Sequence, residues 1–299
     1  MNPIIHIGKE IKSTFTKVNE LTNRSVYGQE IKIDGFIWKS GLLKNTDTSN
    51  VAYLVPFLEV SPSVSVTNWI CEVKASFSVH KADGTTFKKG FANPLFMTSK
   101  NTSYGLYTFM EWKNFYTTDY VQNLSSTISY IFDLKFYNFD QSSINYRDFA
   151  VIVGQDKFFT NKALLAMNSK FLADHLTASE LNLLSTDSKD FAMFLAAVHP
   201  DPIQITSNNF GALVDLAHRL NAGPLFKKCL DVGMNSTTIP LIVKVRSAEK
   251  LESDDRLMQA CIDSLKTAKE FKDFADKPEF KTLKDSTKIR FFTASLKFI

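Results

Sequence analysis

The side chains that could make or break bonds in this chain are few and scattered. Five histidines (His6, His80, His175, His199, His218) and three cysteines (Cys71, Cys229, Cys261) are the candidates for metal ligation or nucleophilic attack. No histidine stands at zinc-ligand spacing from a cysteine, aspartate or glutamate. The patterns H-E-x-x-H, G-x-S-x-G and G-x-x-x-x-G-K-[ST] do not occur. Gly84 and Gly90 bracket Lys88-Lys89, at the wrong spacing for a phosphate-cradling loop. Cys71 falls in an alternating apolar segment, where a small buried thiol is common. Three widely separated cysteines build neither a disulfide framework nor a zinc knuckle, and they favour a reducing compartment. The expectation is a chain with no catalytic residue, no metal and no cofactor, whose chemistry is recognition.

Composition narrows the partners. Hydrophobic residues make up 44% of the 299, enough to bury real cores. The net charge of +4 is mild, and no Lys/Arg stripe with interleaved aromatics points to nucleic acid. No run approaches the ~20 apolar residues of a membrane span. The opening MNPIIHIGKEIK lacks a signal-peptide core, so cytoplasmic and/or nuclear residence is expected. Without a signal, the N-x-S/T triplets at Asn23, Asn101, Asn123 and Asn235 read as coincidence.

The elements that must build the recognition surfaces come in two kinds. Short apolar or alternating runs at Ile31–Ile33, Gly35–Trp38, Tyr53–Val60, Trp69–Val79, Tyr104–Met110 and Thr127–Phe136 are separated by turn residues such as Ser61-Pro62 and Asp83-Gly84. That spacing, with 26 phenylalanines, predicts an all-β antiparallel sandwich over 28–138. Residues 1–27 are expected as an arm or a short amphipathic helix over 8–24, with Ile11, Phe15 and Val18 on one side. Residues 139–145 are polar and serve as the linker. Residues 146–240 predict a mixed α/β domain. It opens with a strand at Phe149–Val153, a turn at Gly154-Gln155-Asp156 and a second strand at Lys157–Phe159. A helix capped by Thr160 follows, with Ala163, Leu164, Met167 and Phe171 at helical spacing. Further helices are expected over Ser188–Val198, ended by Pro200 and Pro202, and over Asn208–Leu220. Residues 241–299 read as a densely charged helical C-terminal extension.

Both regions resemble known families. Asp148, Phe159, Asn161-Lys162, Leu165-Ala166 and Ser169 fall where a BTB (POZ) domain places its Asp, Phe, His-Lys or Asn-Lys, Leu and Ser. Gly35-Phe36-Ile37-Trp38, the segment NWICEVKASFSVHKADG, and Ser103–Phe109 resemble strands of a MATH (TRAF-like) domain. The last matches its W-G-F-x-x-F strand, with Tyr for Trp and Leu for the first Phe. MATH followed by BTB is the order of the BATH family, expanded in nematodes. The resemblance implies a substrate-peptide groove that includes Phe96, Tyr104, Leu106 and Tyr107, with core packing as the competing role for Phe96 and Leu106. It implies a homodimer through Leu164 and Met167. It also implies a cullin-3 contact at Leu176, Glu180 and His199, near the weak signature Ala178-Ser179-Glu180. The function implied is a substrate adaptor of a cullin-3 ubiquitin ligase. The alternative is a homodimeric scaffold that has lost the cullin.

Overall fold

The computed structural model describes residues 6–22, 24–33, 35–62, 68–117, 119–122, 125–139, 148–177, 180–251 and 254–298. The chain divides into two compact units, Met1–Ile144 and Asn145–Ile299.

The first unit consists of two antiparallel sheets. Its elements in order are β1 (His6–Phe15), β2 (Val26–Ile33), β3 (Phe36–Thr46), β4 (Ala52–Pro62), β5 (Trp69–His80), β6 (Thr86–Gly90), β7 (Leu95–Thr98), β8 (Ser103–Gly105), β9 (Met110–Glu111), the one-turn helix α1 (Trp112–Phe115) and β10 (Ser126–Asn138). One sheet runs β1-β10-β5-β6, with β7 also on β5; the other runs β2-β3-β4-β8, with β9 also on β4. Side chains alternate between the faces of a strand, so Trp38, Leu58 and Val60 from one sheet meet Val73, Phe77, Tyr130 and Phe132 from the other in a single core. Rings dominate it: Trp38 stacks on Phe132 at 5.4 Å and Phe77 meets Tyr130 edge-on at 5.5 Å.

The helix expected over 8–24 is a strand. Ile11, Ser13 and Phe15 are buried while Lys12, Thr14 and Thr16 are exposed, which is a period of two. A separation of four residues fits both one helical turn and two strand repeats, so Ile11 and Phe15 alone do not discriminate. The deciding residue is a serine. Ser13 is fully buried and bonds Ser40 Oγ at 2.6 Å, and its Oγ accepts the Gln29 N–H at 3.0 Å. This polar link joins β1 to β2 and β3 and is invisible to a count of apolar positions. β1 therefore pairs with β10 from His6 through Phe15 as part of the sandwich. Ser61-Pro62, expected as a turn, ends β4. The linker lies almost wholly outside the described residues.

The second unit opens with the hairpin β11 (Phe149–Val153) and β12 (Asp156–Thr160), turned at Gly154 with φ +63°. β13 (Glu180–Asn182) joins β11 in parallel. Helices α2 (Lys162–Asn168), α3 (Lys170–Asp174), α4 (Ser188–Val198), α5 (Phe210–Arg219) and α6 (Gly223–Asn235) complete the α/β part. The extension adds α7 (Leu241–Ala248), α8 (Arg256–Asp263), α9 (Ala268–Ala275) and α10 (Asp285–Ser295). It closes around Phe271, Phe274, Phe280 and Phe291, and the Arg290 guanidinium grips both Asp255 oxygens to tie α10 to the start of α8.

The single helix expected to run through Phe171 is two short ones, and its cap is Asn161, not Thr160. Asn161 Oδ1 accepts the Leu164 N–H at 3.0 Å, while Thr160 stays in β12. Ser169 then starts α3: its Oγ accepts the Leu172 N–H at 3.0 Å and donates to the Leu220 carbonyl at 2.5 Å. Asp148 accepts the Lys162 N–H at 2.8 Å, and Leu165 is fully buried. Of the residues that carried the resemblance, Asp148, Asn161, Leu165 and Ser169 are thus caps and core that fix the fold.

Candidate functional site

In the sandwich the expected groove lies at a strand edge. β8 is the terminal strand of its sheet, paired on one side with β4 through Phe57↔Gly105, Leu58↔Tyr104 and Glu59↔Ser103. The Val60 N–H donates to the Thr102 carbonyl at 2.8 Å and the Leu106 N–H to the Pro56 carbonyl at 3.0 Å. An antiparallel ladder alternates, so Thr102, Tyr104 and Leu106 turn their main-chain groups toward β4. Ser103 and Gly105 turn theirs outward, toward no strand of the described fold. A strand edge of this kind is a template for an added extended chain.

The expected groove residues distribute around this edge unequally. Tyr104 and Leu106 are half-buried and lean against the sandwich core. The Tyr104 hydroxyl accepts from Asn101 Nδ2 and donates to the Phe96 carbonyl at 3.1 Å, which brings Tyr104 to the main chain of β7. Burial pushes this hydroxyl above its ordinary pKa, so it stays protonated. Phe96 needs a correction: its ring is only 2% exposed, so it forms no open wall. Tyr107 is 61% exposed just beyond the edge.

The outer face behind β8 holds residues that the sequence did not single out. Tyr27, Gly41, Phe57 and Gly105 form one cross-strand row, and Glu30, Lys39, Glu59 and Ser103 form the next. The Phe57 ring covers Gly41, where a Cβ would fall 2.0 Å from its Cζ. Tyr27 stands edge-on to Phe57 at 5.7 Å and donates its hydroxyl to Glu59 Oε2 at 2.6 Å. The Glu59 carboxylate, as acceptor of that bond, raises the Tyr27 pKa. Only the pairing register reveals these rows. The sequence signal that survives is Gly41 in an otherwise bulky strand.

In the second unit Met167 is 79% exposed on α2, while Leu164, one turn earlier, is half-buried. Leu176 is half-buried and Glu180 is exposed; Ala178 and Ser179 between them lie outside the described residues. Glu180 Oε2 receives Lys157 Nζ at 2.9 Å, and His199, at the end of α4, accepts the Asp201 N–H at 3.3 Å on Nδ1. Leu184, in the loop after β13, is 89% exposed and was not anticipated. The three thiols are buried; burial raises all of them, Cys229 and Cys261 to about 12, so at neutral pH they are thiols and not thiolates. Among the described residues no group of three His, Cys, Asp or Glu gathers to hold a metal.

Comparison with known proteins matches each unit. The MATH domain model covers residues 12–145 and the BTB/POZ domain model residues 136–236. The chain is a MATH–BTB protein. BTB and MATH domain-containing protein 38 of Caenorhabditis elegans is 24% identical over 274 residues, 86% of this chain and 70% of the relative. Proteins 45 and 15 of the same name and organism are 28% and 27% identical, each over 44% of this chain. The chain spans 29% and 50% of those two relatives. The BTB domain of zebrafish PATZ1 aligns with 30% of this chain and 76% of its own, at 24% identity and a TM-score of 0.28. A MATH–BTB protein is a protein-interaction adaptor, and the surfaces described above are where its partners are to be sought.

Proposed function

We propose that this MATH–BTB protein is a substrate adaptor of a cullin-3 ubiquitin ligase. The MATH unit holds an extended substrate peptide along β8, and the BTB unit dimerises through α2 and holds the cullin. The observation that carries the reading is the outward-facing main chain of Ser103 and Gly105, next to Tyr104 and the exposed Tyr107. Main-chain bonding supplies affinity for an extended chain of almost any sequence, and neighbouring side chains supply choice. The adaptor performs no bond chemistry. It raises the effective concentration of substrate at the ligase, and two MATH heads in a dimer add avidity. Met167 supports the dimer, since an unbranched apolar side chain held in water gains by burial. Leu176, Glu180, His199 and the exposed Leu184 are the proposed cullin contacts.

A second reading, a homodimeric scaffold without cullin, has one observation in its favour. Glu180 is already engaged by Lys157, so a partner would have to compete for it. Isothermal titration of the full chain with the cullin-3 N-terminal region decides between the two. The adaptor gives micromolar or tighter binding, weakened by Glu180→Lys with little change in stability, as expected of an exposed position. The scaffold gives no heat at high micromolar concentration.

A further inference from the structure

The charge pattern behind β8 narrows the class of peptide, granted the peptide reading above. On the outer face, Glu30, Lys39 and Glu59 are cross-strand neighbours in one row, of sign minus, plus, minus. Lys39 Nζ lies 3.8 Å from Glu30 and 6.0 Å from the Tyr27 ring centre, so the cation is drawn toward β2 and away from β8. Glu59 Oε2 accepts the Tyr27 hydroxyl, and Oε1 has no partner among the described residues. The last member of the row is Ser103, exposed and short. A strand added to β8 would place one residue in this row, about 4.8 Å beyond Ser103. Its side chain would have to reach over the serine to meet Glu59.

We propose that the MATH unit selects peptides with a lysine or arginine in the position opposite Ser103, where its cation continues the row Glu30–Lys39–Glu59 and pairs with Glu59. The length of a Lys or Arg stem suits the span across one strand, whereas a short polar residue would stop at Ser103. Like charges facing each other across strands repel, so an acidic residue at that position is excluded. The contact is open to solvent, and its part in affinity is modest, roughly fivefold. Its larger effect is choice of sequence.

Selection from a random heptapeptide phage library on the full chain and on Glu59→Lys tests this. Glu59→Gln, which keeps an acceptor for Tyr27, separates charge from the local hydrogen bond. The wild type is expected to enrich Lys and Arg at one fixed position, Glu59→Gln to lose that enrichment, and Glu59→Lys to turn it toward Asp and Glu. Peptides that bind the wild type without a basic position, or with one that Glu59→Lys leaves unchanged, would overturn the proposal while leaving the groove intact. Failure to select any peptide would overturn the peptide reading of β8 itself, and the charge rule with it.

Discussion

The two units spend their apolar side chains differently. In the sandwich, the exposed large hydrophobics among the described residues are Val26, Ile131 and three tyrosines, Tyr27, Tyr107 and Tyr116. A tyrosine presents a polar tip to water, and on β8 the main chain of Ser103 and Gly105 faces away from β4, toward no strand among the described residues. In the second unit the exposed large hydrophobics among the described residues have no polar tip: Met167, Leu184, Met234, Ile289, Phe292, Leu296 and Phe298 stand at 41–89% exposure. A free strand edge among tyrosines suits a wet, exchangeable contact with many sequences. Bare apolar tips suit contacts that stay closed. On the proposed reading, one unit samples partners and the other holds an assembly together.

The largest test of that contrast removes a core ring. Trp38 is fully buried between Phe132 and Phe136, and Trp38→Ala should cost about 3–5 kcal/mol. Scanning calorimetry should show the sandwich transition fall while that of the helical unit stays. If both move together, the two regions do not behave as separate units. Next is Met167→Asp. A carboxylate buried at a dimer contact should cost about 2 kcal/mol or more and give monomers by light scattering, with the far-UV circular dichroism of the folded chain retained. A monomeric wild type would remove the assembly half of the contrast.

Ser103→Pro is smaller and more selective. The Ser103 N–H points away from β4, so proline deletes no ladder bond, as tolerated at sheet edges. It deletes a donor to the peptide, and a library-selected peptide should bind about tenfold more weakly by fluorescence anisotropy, for a loss of about 1.4 kcal/mol. The smallest effect is acid sensitivity of the extension. Asp254 and Asp255 are held below the ordinary carboxylate pKa, chiefly by their hydrogen bonds to Arg256 and Arg290. A lowered folded pKa means that their stabilisation is complete above the unfolded value near ~3.9 and fades as pH falls through the folded one. Circular dichroism should show stability dropping below about pH 4, less steeply in Arg290→Gln, which lacks the Asp255 part at every pH.

Much of this was legible in the sequence because local signals agreed. Pro200 and Pro202 closed α4 where expected, and Gly154 marked the hairpin of β11 and β12. The misses have physical causes. β1 was hidden by a buried serine, since Ser13 is held by hydrogen bonds where the pattern sought an apolar side chain. The break at Ser169 was hidden because the apolar spacing runs on through Phe171 while a cap intervenes. Tyr104 and Tyr107 could be named from one strand. Tyr27 and Glu59 could not, because their place behind β8 depends on the register of four strands joined by loops. Phe96 was misplaced because all four residues of β7 are buried, on both faces of the strand, so alternation along it marks no open side.

Residue-resolved hydrogen exchange of the full chain, with and without a library-selected peptide, tests the central claim most directly. The ladder predicts that the Leu106 amide, bonded to Pro56, is protected in both states, and that the Ser103 and Gly105 amides exchange quickly alone and slow on binding. Binding that leaves Ser103 and Gly105 unprotected while slowing amides elsewhere would contradict the account.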